Sequence, residues 1–333
     1  MNKVCIKPLI VGSIMLSFIV ACTQPERGYI IHGEIADTQS GTIYLKRYED
    51  KSFSDVDSAL IQNGLFEFKG KVGEEQAYAL TTFKESRQPL LFFMGNDEMT
   101  IRLNESEKKI DVKGSVSHDL YATNAPLIRQ DGYNLDSLIA LHPASPVGAY
   151  FVVRDFAWQL SLNELKAKRT KFDVALQGSF YLNQLDSLIS KLASIQVGQI
   201  APDFTLSDNQ NTPVSLSSFR GKYVLVDFWA SWCPDCRREN PAVVALYNQY
   251  KEKNFTVLGV SLDRNRDAWL KAIEKDGLTW TQVSDIKGWQ CAVARRYAIR
   301  WIPTSFLLDP DGRILLQTTD VKETEAKLTE IFK

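Results

Sequence analysis

Val226-Asp-Phe-Trp-Ala-Ser-Trp-Cys-Pro-Asp-Cys236 joins an apolar run to a closely spaced cysteine pair. With Tyr223-Val-Leu before it, it begins as a nearly unbroken apolar run, the pattern of a parallel-type strand buried on both faces. A helical pattern follows through Lys253, so the Cys-x-x-Cys lies at a strand-to-helix junction. There Cys233 falls near the first turn and Cys236 one turn later on the same face. Two such sulfurs can bond or part with little backbone movement. Free N–H groups and the dipole at a helix start favour a thiolate, and such sites reach pKa values of roughly 3.5 to 7.5 against about 8.5 unperturbed. Pro234 suits the first helical position because it lacks only an orphan N–H. Asp235 suits the dipole but opposes a neighbouring thiolate, which predicts a more reducing pair. A Cys-x-x-Cys could also be half a zinc site. Zinc would need two further ligands, and the surrounding sequence supplies only Cys291 and no nearby histidine.

Outward from this stretch, strand and helix signals alternate from about Val197 to the C-terminus. Phe255–Ser261 reads as a strand, Arg266–Lys275 and Trp289–Tyr297 as helices, Thr304–Leu308 and Arg313–Gln317 as strands around Asp309-Pro-Asp-Gly312, and Val321–Phe332 as an amphipathic helix. The order is βαβ followed by αββα. Residues 226–236 resemble the thioredoxin active-site segment, and Trp301-Ile-Pro-Thr304 resembles its cis-proline loop. Ala201-Pro-Asp-Phe-Thr-Leu206 and Val214-Ser-Leu-Ser-Ser-Phe-Arg-Gly-Lys222 are similar to the TlpA/ResA-like branch of the redoxin superfamily, with room between 233 and 303 for that branch's extra βα insert.

The resemblance implies a thioredoxin-like α/β domain over 195–333 and a thiol-disulfide oxidoreductase. Cys233 would be the nucleophile and Cys236 the resolving thiol. Asp227 matches the buried thioredoxin aspartate, whose raised pKa suits proton exchange with Cys236. Glu239, three residues after Cys236, matches the active-site glutamate of the cytochrome-maturation branch. Having both acids departs from many branch members. Pro241 matches a kink proline. Trp232, Pro234, Ile302 and a cis Pro303 would form the substrate-binding surface, with the Ile302 backbone offered to an extended substrate strand. Cys291 departs from the pattern and reads as a buried free thiol. No cofactor or metal is implied.

Upstream, residues 28–116 read as short strands with turn residues between them, including the hairpin signal Asn63-Gly64, and predict an antiparallel β-sandwich. Residues 117–194 change to helical spacing, with a helix start at Ser145-Pro146, and predict a helical connector. The aromatics Tyr150, Phe151, Phe156 and Trp158 read as core. His32, His118 and His142 have no evident partners. Both stretches resemble those that accompany this domain in envelope lipoproteins of Gram-negative bacteria.

The N-terminus combines Lys3 and Lys7, an apolar run from Pro8 to Val20 and a polar switch after Cys22. A spanning helix needs about 20 apolar residues, so residues 1–21 read as a signal peptide. Ile19-Val-Ala-Cys22 resembles the bacterial lipobox, which implies a lipidated Cys22 and a chain anchored at the cell envelope facing the periplasm. Over 333 residues the net charge is −1, and 44% of residues are hydrophobic; this excludes a disordered chain and gives no basic field for nucleic acid. The expected function is dithiol–disulfide exchange with extracytoplasmic proteins. The branch resemblance points to a reductant recharged by a membrane electron donor, as in cytochrome c maturation or disulfide repair. Two alternatives stand beside it. A thiol peroxidase would carry Pro-x-x-x-Thr-x-x-Cys, which residues 226–233 lack. A binding lipoprotein would act through its β domain.

Overall fold

The computed structural model describes residues 28–49, 52–86 and 88–333. The proposed signal, Cys5 and the lipobox Cys22 lie outside them. The chain forms two compact units, the first ending at Tyr121 and the second spanning Ala122–Lys333.

The first unit contains β1 (Tyr29–Ile35), β2 (Ser40–Glu49), β3 (Ser52–Gln62), β4 (Leu65–Gly70), β5 (Gln76–Thr81), β6 (Leu90–Met94), β7 (Glu98–Asn104) and β8 (Lys109–Lys113). All eight pair in one sheet in the order β6-β5-β2-β3-β4-β1-β7-β8. The β-rich unit expected from the sequence is present, as one continuous sheet around a single core that draws on Ile31, Leu45, Phe68, Leu80, Phe92 and Ile101. Its pairing is not wholly antiparallel, because β1 inserts between β4 and β7 and runs parallel to β7. Asn63 and Gly64 turn β3 into β4 with φ of 52° and 76°, the left-handed pair that a tight hairpin requires. Strand β5 escaped the sequence reading. It is buried at every position, so it shows no polar alternation. His32 faces Glu67 and Glu98 at 3.3 and 3.6 Å. His118 is buried and its Nδ1 accepts from the Phe93 amide at 3.4 Å.

Helix α1 (Val116–Asn124) carries the chain across the division between the units. In the second unit, α2 (Leu135–Leu141), α3 (Pro146–Phe151), α4 (Leu162–Arg169) and α5 (Phe180–Ser194) form the helical stretch. Ser145 caps α3 through the Val147 amide, with Pro146 in the first turn. α3 then widens into a π-helical turn over Val152–Phe156. Tyr150 and Phe151 are buried as expected. Trp158 departs from that expectation: it is 56% exposed, beyond the end of the π turn.

A ribbon of β9 (Thr205–Ser207) and β10 (Pro213–Ser215) precedes β11 (Tyr223–Trp229), α6 (Pro234–Tyr250), β12 (Phe255–Ser261), α7 (Arg266–Asp276), β13 (Thr281–Val283), α8 (Ala292–Arg296), β14 (Thr304–Leu308), β15 (Ile314–Thr318) and α9 (Val321–Ile331). The sheet order is β13-β12-β11-β14-β15, with β11, β12 and β13 parallel and the last two strands antiparallel. This is the thioredoxin-like arrangement, and β11 at its centre is buried from Val224 to Trp229. β13 was not read from the sequence, because three residues are too few to show a period. The expected helix at Trp289–Tyr297 is a 3₁₀ turn over Gly288–Gln290 followed by α8.

Gly259 on β12 shows how tightly this sheet is covered. A Cβ there would lie 2.1 Å from Gln282 Oε1, the atom that accepts the Trp229 indole hydrogen at 2.9 Å. Both partners are buried, so breaking that bond leaves two polar atoms unpaired. Gly259→Ala is expected to lower stability by about 1–3 kcal/mol in urea unfolding. An unchanged midpoint would mean that the amide swings aside freely.

Candidate active site

β11 runs through the sheet centre and delivers its C-terminal end to α6, the place where open α/β sheets build their sites. Cys233 is the N-cap of α6, and its Sγ accepts from the Cys236 amide at 3.1 Å. The sulfur takes the place that a serine or aspartate oxygen fills in ordinary caps. Negative charge on that atom is favoured by the helix dipole and by the orphan N–H groups. Cys233 and Cys236 are joined as a disulfide with Cα atoms 5.3 Å apart, and both are almost wholly buried. Pro234 occupies the first turn, and Pro241 lies inside α6. The Asp235 charge is met by Arg238 at 2.6 Å on the exposed face of the helix.

The Ile302–Pro303 peptide bond is cis. It brings the Ile302 carbonyl oxygen to 3.7 Å from Cys233 Sγ. Trp232, 51% exposed, ties its indole to the Leu262 carbonyl at 3.2 Å and lies against Trp289. An exposed aromatic surface therefore borders a nearly buried disulfide.

Asp227 is the one charged residue of β11. Its register partners are Gly259 on β12 and Ser305 on β14, both small. Burial pushes its pKa up to about 6; the hydrogen bond from Ser305 Oγ at 2.9 Å opposes this and the charge of Glu239 adds to it. The Glu239 carboxyl is also raised, first by burial and then by Asp320. The charge of one acid singled out in the sequence thus acts on the other in the fold.

Residues 197–317 match the AhpC/TSA family, and residues 29–121 match a domain of unknown function, DUF4369. The thiol-disulfide oxidoreductase ResA of Bacillus cereus is 30% identical over 158 residues, which span 47% of this chain and 89% of that protein. ResA of Geobacillus thermodenitrificans is 34% identical, over 48% of this chain and 88% of its own. This chain belongs to the ResA-like thiol-disulfide oxidoreductases. A solved thiol-disulfide oxidoreductase from Bacteroides fragilis is 41% identical, covering 40% of this chain and 99% of that one with a TM-score of 0.38.

Within this ResA-like domain, two residues that hold the cysteine loop were not found from sequence. Asp263 follows β12 and is buried; it accepts from the Ser231 amide at 3.0 Å, from Ser231 Oγ at 2.5 Å and from Ser261 Oγ at 2.7 Å. Arg237 donates to the Ser231 carbonyl at 3.2 Å and pairs with Asp276, which also receives Asn240. The available signal was Asp263's place just past the carboxyl end of a parallel strand. Cys291 is buried and unpaired, and burial raises its thiol pKa, so it stays a neutral thiol. Among the described residues no cluster suited to a metal is present.

A carboxyl near 6 in the fold and near 3.8 when unfolded keeps its proton in the native state over a range where the unfolded chain has lost it. Its effect on stability is nil below the unfolded value and becomes a penalty as pH rises through about 6, reaching roughly 3 kcal/mol. Asp227→Asn keeps an acceptor for Ser305 and removes the charge. It is expected to exceed wild type in urea stability by up to that amount at about pH 7 and to match it near pH 3.5. Equal gains at both pH values would point to packing instead of charge.

Proposed function

We propose that this protein is an envelope-anchored reductant of protein disulfides, working through Cys233-Pro-Asp-Cys236. The observation that carries the reading is the cis Pro303 loop, whose Ile302 carbonyl lies 3.7 Å from Cys233 Sγ and gives an extended substrate backbone an edge beside the nucleophile. In the reduced enzyme the Cys233 thiolate attacks one sulfur of a substrate disulfide, forms a mixed disulfide and releases the other sulfur as a thiolate. Cys236 then loses its proton, with Asp227 as acceptor and Glu239 tuning it, and attacks Cys233 Sγ. The second substrate thiol leaves, two electrons have passed to the substrate, and the Cys233–Cys236 disulfide remains. A membrane-borne dithiol donor recharges it. Trp232, Pro234, Ile302 and Pro303 form the contact surface for the substrate.

The lipobox at Cys22 supports anchoring by lipid. No helix among the described residues is long and apolar enough to cross a membrane. The work divides between the redoxin domain, which does the chemistry, and the β-rich and helical segments 28–116 and 117–194, which present it at the envelope. Cytochrome c maturation or disulfide repair is the setting we assign. A peroxidase lacks comparable support, since Val226–Trp232 carries neither the proline nor the threonine of a peroxidatic site.

Insulin reduction with dithiothreitol as donor should be lost entirely in Cys233→Ser. Cys236→Ala should accumulate mixed disulfides with envelope proteins in cells, visible as adducts on non-reducing gels. A trap that captures no protein would argue against protein substrates.

A further inference from the structure

The segment leading into the cis-proline is tied down in two directions. At the end of α8, Arg296 donates to the Asp203 carbonyl, and the hydroxyl of Tyr297, the next residue, donates to the Pro202 carbonyl at 2.7 Å. Both anchors lie inside the redoxin match. Arg300 turns the other way. Its Nη1 donates to the carbonyl oxygens of Ala157 and Leu160, the second at 3.0 Å, and its guanidinium stands 5.0 Å from the centre of the Trp301 ring. Ala157 and Leu160 belong to the helical stretch, upstream of the 197–317 match.

The chemistry of those acceptors explains the contact. α3 ends by widening into the π turn, Ala157 is its C-cap, and the chain leaves helical geometry before Ser161 starts α4. Carbonyls at a helix C-terminus have no partner within the helix and carry the negative end of the dipole. A cation supplied from elsewhere in the fold satisfies both needs, and charge-assisted hydrogen bonds are the stronger kind. Arginine keeps its charge when half buried, whereas lysine readily loses it. The anchor lies two residues before Ile302, whose carbonyl faces Cys233 Sγ.

We propose that Arg300 is a positioning residue for the substrate-docking loop, through which the helical stretch helps set the affinity of this enzyme for protein disulfides. The proposal rests on the reading of the Ile302–Pro303 loop as the docking edge. Arg300 touches neither sulfur, so the thiol chemistry itself does not depend on it.

The test uses the full chain as wild type, Arg300→Met and Arg300→Lys. Two disulfides are compared: insulin, which must dock, and 5,5′-dithiobis(2-nitrobenzoate), which is too small to use an extended edge. In Arg300→Met, KM for insulin should rise about five- to tenfold with kcat within about twofold of wild type. The rate with the small disulfide and the reduction potential of the cysteine pair should stay unchanged. Arg300→Lys, which keeps a point charge but not the fork, should fall between the two. An unchanged KM in Arg300→Met overturns the proposal. So does a parallel loss with both substrates or a shifted potential, since either marks general damage to the site. Wild-type enzyme that reduces the small disulfide but not insulin overturns the docking reading, and this proposal with it.

Discussion

The hydrogen bond from the Cys236 amide to Cys233 Sγ sets the geometry of the cysteine pair. It requires a sulfur at the N-cap of α6, and therefore a strand that ends at Trp229, a short turn before it, and points at the helix start. β11 meets that demand only as the central strand, held by β12 on one side and β14 on the other. The short turn between β11 and α6 would be free to move but for the buried Asp263 and the Arg237–Asp276 pair, which grip Ser231 from opposite chemical sides: a carboxylate takes its donors and a guanidinium takes its carbonyl. The cap fixes the sulfur along the helix axis, and the Ser231 clamp fixes the helix against the sheet.

What could be read from the sequence followed from period and from local chemistry. β11, β12 and β14 are legible to the residue because each is an apolar run with abrupt ends, the pattern of a strand inside the sheet. The cap at Ser145 and the turn at Asn63-Gly64 were legible because each is decided by one or two adjacent side chains. The losses have the opposite cause. β5 is buried at every position and so shows no alternation, β13 is too short to show a period, and the path of β1 between β4 and β7 depends on long-range pairing. The roles of Asp263, Arg237 and Arg300 arise from contacts across 32, 39 and 143 residues, which no local pattern encodes.

The same distinction separates the two carboxylates. Asp227 was legible as buried because it stands alone in an apolar strand. That Glu239 acts on it was not, because its charge reaches across from α6, where burial first and then Asp320 at the start of α9 raise its own pKa. On the proposed mechanism, that negative charge lies around a position where a thiolate forms. Burial makes that arrangement workable. A carboxyl whose pKa stands at about 6 is mostly ionised at neutral pH, yet takes up a proton far more readily than an exposed aspartate near 3.8. In the mechanism we propose, Asp227 takes the proton that Cys236 gives up, and a carboxyl near 6 can hold it without a large uphill step. An acid left in water at the same place would repel the thiolate and offer it no useful base. On that proposal the apolar strand that hides Asp227 serves the proton chemistry as well as the core.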